Sequence, residues 1–295
     1  MRRPIIVVFL SLFLMAFQAL AAERGALFRV TGQDHTLYLY GTVHAGRADF
    51  YPLEPRIRAA MAQAKTLALE IDAACDPAAM LAAFQQHGMF AAASPGMAGL
   101  PEARRRRIEA GLKAQGVDPA AVARMRPGML TMMLALVEIG KLGYDPALGV
   151  DSHLAQLAQG GKTRIVELES VQYQAALLNR LPLLDQWKLL EETLENMASG
   201  RQLREGRELF DAYERADQAA LDRIARRVDH DDSFTGKFMR DVLLKERHGP
   251  MADKVAALLA RENNAVVAVG LLHLLGKNGL PELLRRRGVK VERLY

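Results

Sequence analysis

The sequence LYLYGTVHAG at residues 37–46 decides how the fold is interpreted. Its first four residues are aromatic and aliphatic side chains that suit a strand, and the run stops at Gly41, three residues before His44. A second copy of the pattern, AVVAVGLLH, occupies residues 265–273 and ends at His273. Because ligands in open α/β sheets gather beyond the carboxyl ends of strands, two strands that each end in Gly-x-x-His predict two imidazoles at one sheet edge.

Strand-like segments lie near both ends of the chain, whereas the middle has mainly helical patterns. The strand-like segments are 27–31, 36–40, 66–71, 163–168, 265–269 and 289–293. A strand, a helix that begins near Pro55 and a second strand form a βαβ unit within residues 36–71, which favours a parallel pair. We therefore predict an α/β fold with a mixed central sheet, to which both ends of the chain contribute parallel βα units.

The helical middle is interpreted as an insertion into one domain that covers residues 22–295. This large all-helical insertion runs from about 77 to 262 and is interrupted by a core strand near 163–168. Residues 129–137 are apolar on nearly all sides and are expected to form a central, packed helix. Asp151 is expected to cap the helix that follows it, and His35 is expected to be a surface residue beside a turn.

The first 21 residues read as an export signal. Arg2 and Arg3 form a basic start, residues 5–20 are almost wholly apolar, and Ala19 and Ala21 supply the small residues that a signal peptidase reads. The apolar run is shorter than the roughly 20 residues of a membrane-spanning helix. We predict cleavage after Ala21, a periplasmic or secreted protein, and no stable membrane span after cleavage.

The charge of the chain is too mild to indicate nucleic acid. The net charge of +5 falls to +3 when the two arginines of the signal are removed with no acid. The basic cluster at 104–107 could contact phosphate or lipid headgroups, but such a run is more typical of a solvated helix face. Cys75 is the one cysteine in the sequence, so no intramolecular disulfide is possible.

Four residues that can bind metals or move protons follow predicted strands, namely His44, Glu70, Glu169 and His273. Imidazole and carboxylate together suit a divalent ion such as zinc, manganese or cobalt. Such an ion would help water to attack a carbonyl, and a further carboxylate could serve as general base. Glu70 interrupts an apolar strand, where a carboxylate is costly to bury without a partner. A histidine after a strand is also commonly a hydrogen-bonded loop residue, so a purely structural role stays open.

Rival catalytic motifs are absent from the sequence. It contains no Gly-rich phosphate loop, no His-Glu-x-x-His and no Gly-x-Ser-x-Gly elbow, so a serine hydrolase is disfavoured. The remaining candidate histidines lie on predicted helices or in polar loops and are weak individually; they are His87, His153, His230 and His248.

Several segments, in order along nearly the whole mature chain, resemble the TraB/GumN family. They are LYGTVHAG at 39–46 with YPL at 51–53, LEID at 69–72, LGVD at 148–151, LES at 168–170 with Gln174, and VGLLHL at 269–274 with GLP at 279–281, Leu284 and RG at 287–288. The family is similar to the Tiki proteins, which are described as metal-dependent proteases with paired Gly-x-x-His motifs. It is more distantly similar to erythromycin esterases and to haem-binding ChaN-like proteins.

The resemblance implies a site at particular positions. His44, His273 and Glu70 would bind the metal, while Glu70, Glu169 and Arg247 would be catalytic, Arg247 by steadying a developing oxyanion. Family members often have asparagine directly after this arginine, and the present chain has His248 there.

These residues and the family resemblance lead to two functional hypotheses, one for an enzyme and one for a binding protein. The first is an exported metal-dependent hydrolase, in the favoured form a peptidase that acts on a peptide or protein with manganese, cobalt or zinc. The second is a non-catalytic periplasmic binding or assembly protein that holds a peptide, a haem-like ligand or a polysaccharide-related ligand in the same cleft.

Overall fold

The computed structural model describes residues 22–72 and 76–295. The predicted export signal and Cys75 lie outside these residues. Within them, six strands form one mixed sheet in the order β4-β3-β5-β2-β1-β6. The strands are β1 (Leu27–Gly32), β2 (His35–Thr42), β3 (Thr66–Leu69), β4 (Arg164–Glu167), β5 (Ala265–Gly270) and β6 (Lys290–Arg293).

The helices connect and cover these strands. They are α1 (Pro55–Gln63), α2 (Pro77–Ala83), α3 (Glu102–Ala114), α4 (Pro119–Val122), α5 (Pro127–Lys141), α6 (Val150–Gln159), α7 (Val171–Leu177), α8 (Leu183–Ala198), α9 (Arg201–Glu214), α10 (Gln218–His230), α11 (Phe234–Lys237), α12 (Glu246–Arg261) and α13 (Leu280–Arg286). Segments with π-helical hydrogen bonding, Phe84–Gly88 and Phe238–Lys245, directly follow α2 and α11. Local chemistry explains many helix starts: α1, α2, α4 and α5 each have proline in the first turn, where its missing N–H costs nothing.

Four neighbouring strands of the sheet run in the same direction. β5 lies parallel between β2 and β3, with Thr42 opposite Gly270, and β3 is also parallel to β4. β1 pairs antiparallel with β2 through a tight turn in which Gln33 and Asp34 have φ of 52° and 62°. The predicted α/β class and mixed sheet are therefore confirmed, and the carboxyl ends of β4, β3, β5 and β2 lie side by side.

The buried side chains form two clusters. The first surrounds the sheet and includes Leu39 and Val267, both fully buried. The second lies among α3, α5 and α8 and includes Leu112, Leu134 and Leu190. The helical middle of the chain is divided between them, because α6, α10 and α12 contribute to the cluster around the sheet.

The predicted central packing of residues 129–137 is wrong. α5 is not surrounded on all sides: Leu134 is fully buried, but Met132 and Leu136 are 45% and 43% exposed. Residues four apart lie on the same helix face, and this face of α5 has no covering element among the described residues. His35 lies directly beside the turn, as predicted, where it begins β2; it is half-buried, and its Nδ1 is 2.8 Å from the carbonyl oxygen of Leu259.

The arginine cluster at 104–107 forms part of α3. Each of its arginines pairs with a glutamate of α3 or α8, namely Glu102, Glu109 or Glu191. These pairs support the interpretation of the cluster as a solvated helix face. Across residues 22–72 and 76–295, no helix has the length and apolarity needed to cross a membrane.

Candidate functional site

Each of the four neighbouring parallel strands has one predicted site residue at or beyond its carboxyl end. Glu70 directly follows β3, Glu169 and His44 lie two residues beyond β4 and β2, and His273 lies three residues beyond β5. Because these strands are adjacent, the structure brings the four side chains to one edge of the sheet. Arg247, in the first turn of α12, reaches the same edge.

Arg247 joins the two glutamates. Its Nε lies 3.0 Å from Oε1 of Glu169, and its Nη2 donates to Oε2 of Glu169 at 2.6 Å and also to Oε2 of Glu70. All three side chains are less than 10% exposed. Burial lowers the pKa of Arg247, but the two carboxylates outweigh it and raise the pKa above its ordinary value. One buried positive charge is therefore shared by two buried negative charges.

Gln174 on α7 is a second link between the same glutamates. Its Nε2 donates to Oε2 of Glu70 at 3.1 Å and to Oε2 of Glu169 at 2.9 Å. The side chain of Ser170 caps α7 by accepting from the backbone N–H of Tyr173 at 3.2 Å. Because Ser170 follows Glu169 directly, this cap fixes the start of α7 beside the glutamate that Gln174 contacts.

The second carboxylate oxygen of Glu70, Oε1, faces Gly270 and His273. Oε1 accepts the backbone N–H of Gly270 at 2.6 Å and lies 3.7 Å from Nε2 of His273. Burial alone would raise the pKa of Glu70, but the neighbouring His273, Arg247 and His44 and the Gly270 N–H lower it to about 2. Glu70 is therefore an anion across the physiological pH range.

The loop that carries His44 crosses the loop that precedes α6 at close range. Two backbone hydrogen bonds, of 3.0 and 2.8 Å, join Gly46 and Asp145, and Val150 donates to the carbonyl of Val43 at 2.9 Å. This crossing places Nδ1 of His44 3.2 Å from Oδ1 of Asp151.

Asp151 has a different position from the one predicted for it. Gly149 occupies the N-cap of α6, and Asp151 lies within the first turn with its carboxylate at His44. The local sequence indicates a cap because aspartate is common there. The LGVD segment of the family resemblance includes Asp151, but it does not indicate that Asp151 contacts His44.

The side chain of His44 is 62% exposed. Burial lowers the pKa of His44, but Asp151 and the charge of Glu70 more than compensate and raise it to about 9. The ring is therefore protonated at pH 7 in the absence of a competing cation, and its Nε2 faces away from the Asp151 pair. Because the ring is accessible to solvent, we expect salt to weaken the pair.

His273 is paired with His248, the residue that departs from the family pattern. Nδ1 of His273 lies 2.9 Å from Nε2 of His248, and both residues are 4% exposed. Burial lowers the pKa of His273 to about 3 and that of His248 to about 4. Both rings are therefore neutral at pH 7, which is the form in which imidazole binds metals.

The three predicted metal ligands border one small space beside Gly270. A methyl group added at Gly270 would lie 3.2 Å from Oε1 of Glu70, 3.7 Å from Nε2 of His44 and 3.7 Å from Cδ2 of His273. Two imidazoles and a carboxylate around one space fit the donor set of a first-row divalent ion. Within residues 22–72 and 76–295, however, no three such side chains already form a complete metal site. Binding would therefore require side-chain rotation.

A larger cavity lies elsewhere in the molecule. It measures about 520 Å³ and is lined by residues of β1, β2, β6 and α1, among them Arg29, Tyr38 and Arg56. Arg29 pairs with Glu292, and Arg56 donates to the carbonyl of Leu294. This cavity contains none of the predicted site residues. The candidate site is therefore placed at the carboxyl ends of the parallel strands, where side chains that can bind metals or move protons meet.

We expect Asp151→Asn to lower the pKa of His44 from about 9 toward or below its ordinary value of 6.5. A proton on His44 stabilises the fold because its pKa is higher when folded. That contribution is fully present below about pH 6.5 and is lost as the pH rises through about 9. The measurement is an NMR titration of the His44 ring in both proteins, with His230 as an internal reference. An unchanged pKa of His44 would contradict the pairing.

Comparison with known proteins gives a family match over almost all of the described chain. A family model described as the TraB/PrgY/gumN family matches residues 26–293. An uncharacterized protein of Escherichia coli strain K12, YbaP, is 27% identical over 274 residues, which cover 90% of this chain and 96% of that relative. The uncharacterized protein YbaP of Shigella flexneri matches with the same values. No solved structure matches the chain significantly.

Proposed function

The chain belongs to the TraB/PrgY/gumN family, and we propose that it is an exported metal-dependent hydrolase, in the favoured form a peptidase. The observation that carries this proposal is the convergence of His44, Glu70 and His273 on the space beside Gly270. These three residues would hold a divalent ion, zinc, manganese or cobalt, and the substrate would be a peptide or a protein.

The charges of the site support a cation. At neutral pH, the carboxylates of Glu70 and Glu169 share the positive charge of Arg247, and the carboxylate of Asp151 lies beside His44. The proton on His44 offsets part of the remaining negative charge. A metal ligand must be an unprotonated imidazole, so a bound cation would take the place of that proton and supply the positive charge itself.

The residues of the chain would share the chemistry in the following way. A divalent ion supplies Lewis acidity, which polarises a carbonyl and makes water a better nucleophile near neutral pH. Glu169 is held in place by Arg247 and Gln174, and its carboxylate would accept the proton that an attacking water loses. The exposed side of His44 leaves the site open for a substrate to approach.

Arg247 would act mainly by holding the two carboxylates. Its Nε, both N–H groups of Nη2 and one N–H of Nη1 are engaged by Glu169, Glu70 and the carbonyl of Leu243. One Nη1 N–H has no hydrogen bond partner among the described residues. An oxyanion role for Arg247 would depend on that group alone.

The test is elemental analysis of protein purified without a histidine tag. We expect about one divalent ion per chain in the wild type and none in His44→Ala/His273→Ala, because both imidazole donors are removed. The control, His87→Ala/His230→Ala, removes two imidazoles outside the site and should bind the ion as the wild type does. Equal metal content in all three proteins would overturn the assignment.

A non-catalytic binding protein is the second candidate function. It is favoured by the absence, among the described residues, of three side chains that already form a complete metal site. A peptide-library cleavage assay with added manganese, cobalt or zinc separates the two functions. Turnover by the wild type but not by Glu169→Gln supports the hydrolase, whereas no turnover together with thermal stabilisation by a peptide, haem or polysaccharide fragment supports binding.

A further inference from the structure

Thr42, the last residue of β2, has a buried hydroxyl without a hydrogen bond partner. The residue is 1% exposed, and its Oγ1 contacts no donor or acceptor at hydrogen bond distance among the described residues. Most buried polar side-chain atoms in proteins have at least one partner. The hydroxyl of Tyr40, two residues earlier on the same face of the strand, follows this rule, because it lies 3.3 Å from the hydroxyl of Tyr213. The hydroxyl of Thr42 therefore requires an explanation.

The hydroxyl of Thr42 does not help the fold. Valine has nearly the same shape as threonine, and both residues favour strands. The hydroxyl of threonine, however, loses its hydrogen bonds to water when it is buried, and a buried polar group without a partner costs free energy. Local choices that oppose stability are expected mainly at functional sites. The position of Thr42 relative to the candidate site therefore decides what its hydroxyl can do.

The register of the sheet places Thr42 beside the space that the predicted metal ligands border. Thr42 lies directly opposite Gly270 in the parallel pair of β2 and β5. Opposite residues of paired strands have their side chains on the same face of the sheet, and neighbouring strands are about 4.8 Å apart. A methyl group at Gly270 would lie within 3.7 Å of atoms of all three predicted metal ligands. Thr42 is therefore one strand spacing from the same space, on the same face of the sheet.

The site has few other donors for an oxygen atom of a ligand. The N–H of Gly270 is engaged by Glu70, and Arg247 has only one Nη1 N–H without a partner among the described residues. We infer that the hydroxyl of Thr42 donates a hydrogen bond to a carbonyl oxygen of a peptide bound beside Gly270. The choice of a peptide rests on the proposed function. Because Oγ1 is buried, a peptide reaches it only after the side-chain rotation that metal binding also requires.

Two substitutions separate the hydroxyl of Thr42 from its methyl group. Thr42→Val keeps the shape of the side chain and removes the hydroxyl, whereas Thr42→Ser keeps the hydroxyl and removes the methyl group. With no metal or peptide added, we expect Thr42→Val to melt at or above the wild-type temperature, because an unpartnered hydroxyl is removed. Thr42→Ser should melt below it, because a buried methyl group is lost. A clearly lower melting temperature of Thr42→Val would show that the hydroxyl has a structural partner and would overturn the inference.

The second measurement is cleavage of the peptide library with added manganese, cobalt or zinc. We expect kcat/KM to fall roughly 2–10-fold in Thr42→Val, which is the effect of one hydrogen bond, and to stay close to the wild-type value in Thr42→Ser. If Thr42→Val cleaves as well as the wild type, the inference is wrong while the proposed function stands. Equal losses in both variants would also overturn the inference, because the hydroxyl would not be their cause.

A wild type that cleaves no peptide would contradict the proposed function, and the melting temperature with the same library then decides the inference. The inference stands if the library raises the melting temperature of the wild type and of Thr42→Ser more than that of Thr42→Val. It fails if the three proteins respond alike, which includes the case that none of them responds.

Discussion

Replacing Arg247 with leucine is expected to lower the free energy of unfolding by about 3–5 kcal/mol at pH 7, because it leaves buried carboxylates without their counter-charge. Glu70 and Glu169 are 8% and 6% exposed and share this one guanidinium. Gln174 can still donate to both carboxylates, but a neutral amide offsets little of their mutual repulsion. The measurement is urea unfolding of both proteins at pH 7 and pH 4.

The pH dependence distinguishes lost charge from lost packing. Glu70 has a pKa lowered from 4.5 to about 2, so its contribution to wild-type stability is present above about pH 4.5 and is lost as the pH falls through about 2. Arg247 is one of the groups that lower the pKa of Glu70, so in Arg247→Leu the pKa of Glu70 should rise and the difference between the two proteins should shrink at pH 4. A difference that is the same at both pH values would indicate that Arg247 acts through packing.

The control for Arg247 is an exposed arginine of similar geometry. Arg180 lies 2.7 Å from Glu246, but the two side chains are 45% and 38% exposed. Exposed pairs typically contribute less than about 1 kcal/mol, so Arg180→Leu should have a small effect. A loss of less than about 1 kcal/mol in Arg247→Leu would contradict the view that this arginine neutralises the two glutamates.

The edge where the site lies could be predicted from the sequence, because its residues are marked by local patterns. The apolar runs before Gly41 and Gly270 predict strands, and a histidine follows each glycine at the same spacing. Parallel strands place their carboxyl ends together, so the sequence predicts that His44 and His273 lie near one another. The family resemblance added Arg247, which lies on a helix with no local sign of a role.

The contacts that complete the site could not be predicted, since they join segments far apart in the chain. Gln174 and Glu70 are separated by 104 residues, and no local pattern states which carboxylate an amide will meet. The local sequence predicts a helix cap at Asp151 because aspartate favours that position, yet the loop crossing at Gly46 directs its carboxylate to His44. The exposed face of α5 could not be predicted either, because the sequence of an apolar helix does not specify which of its faces a neighbouring element will cover.

The close crossing of the two loops leads to the second large effect: Gly46→Ala is expected to lower the free energy of unfolding by about 3 kcal/mol. A methyl group at Gly46 would lie 2.2 Å from the carbonyl oxygen of Leu148 and 3.1 Å from the ring of Phe50. The first of these atoms belongs to the backbone, so relief requires the loops to separate. Separation would stretch the two hydrogen bonds to Asp145 and move His44 away from Asp151.

Two measurements identify this mechanism, with Gly140→Ala as the control. Gly140 lies in α5 with nothing within 4 Å of an added methyl group, so alanine there should stabilise the protein by roughly 0.5–1 kcal/mol. In Gly46→Ala the pKa of His44 should also fall below about 9, because its partner carboxylate has moved. Gly46→Ala could instead keep both the wild-type free energy of unfolding and the raised pKa of His44. In that case the loops accommodate the methyl group, and the pairing of His44 with Asp151 does not depend on this glycine. A loss of stability with an unchanged pKa of His44 would instead place the strain in the packing of Phe50, away from the candidate site.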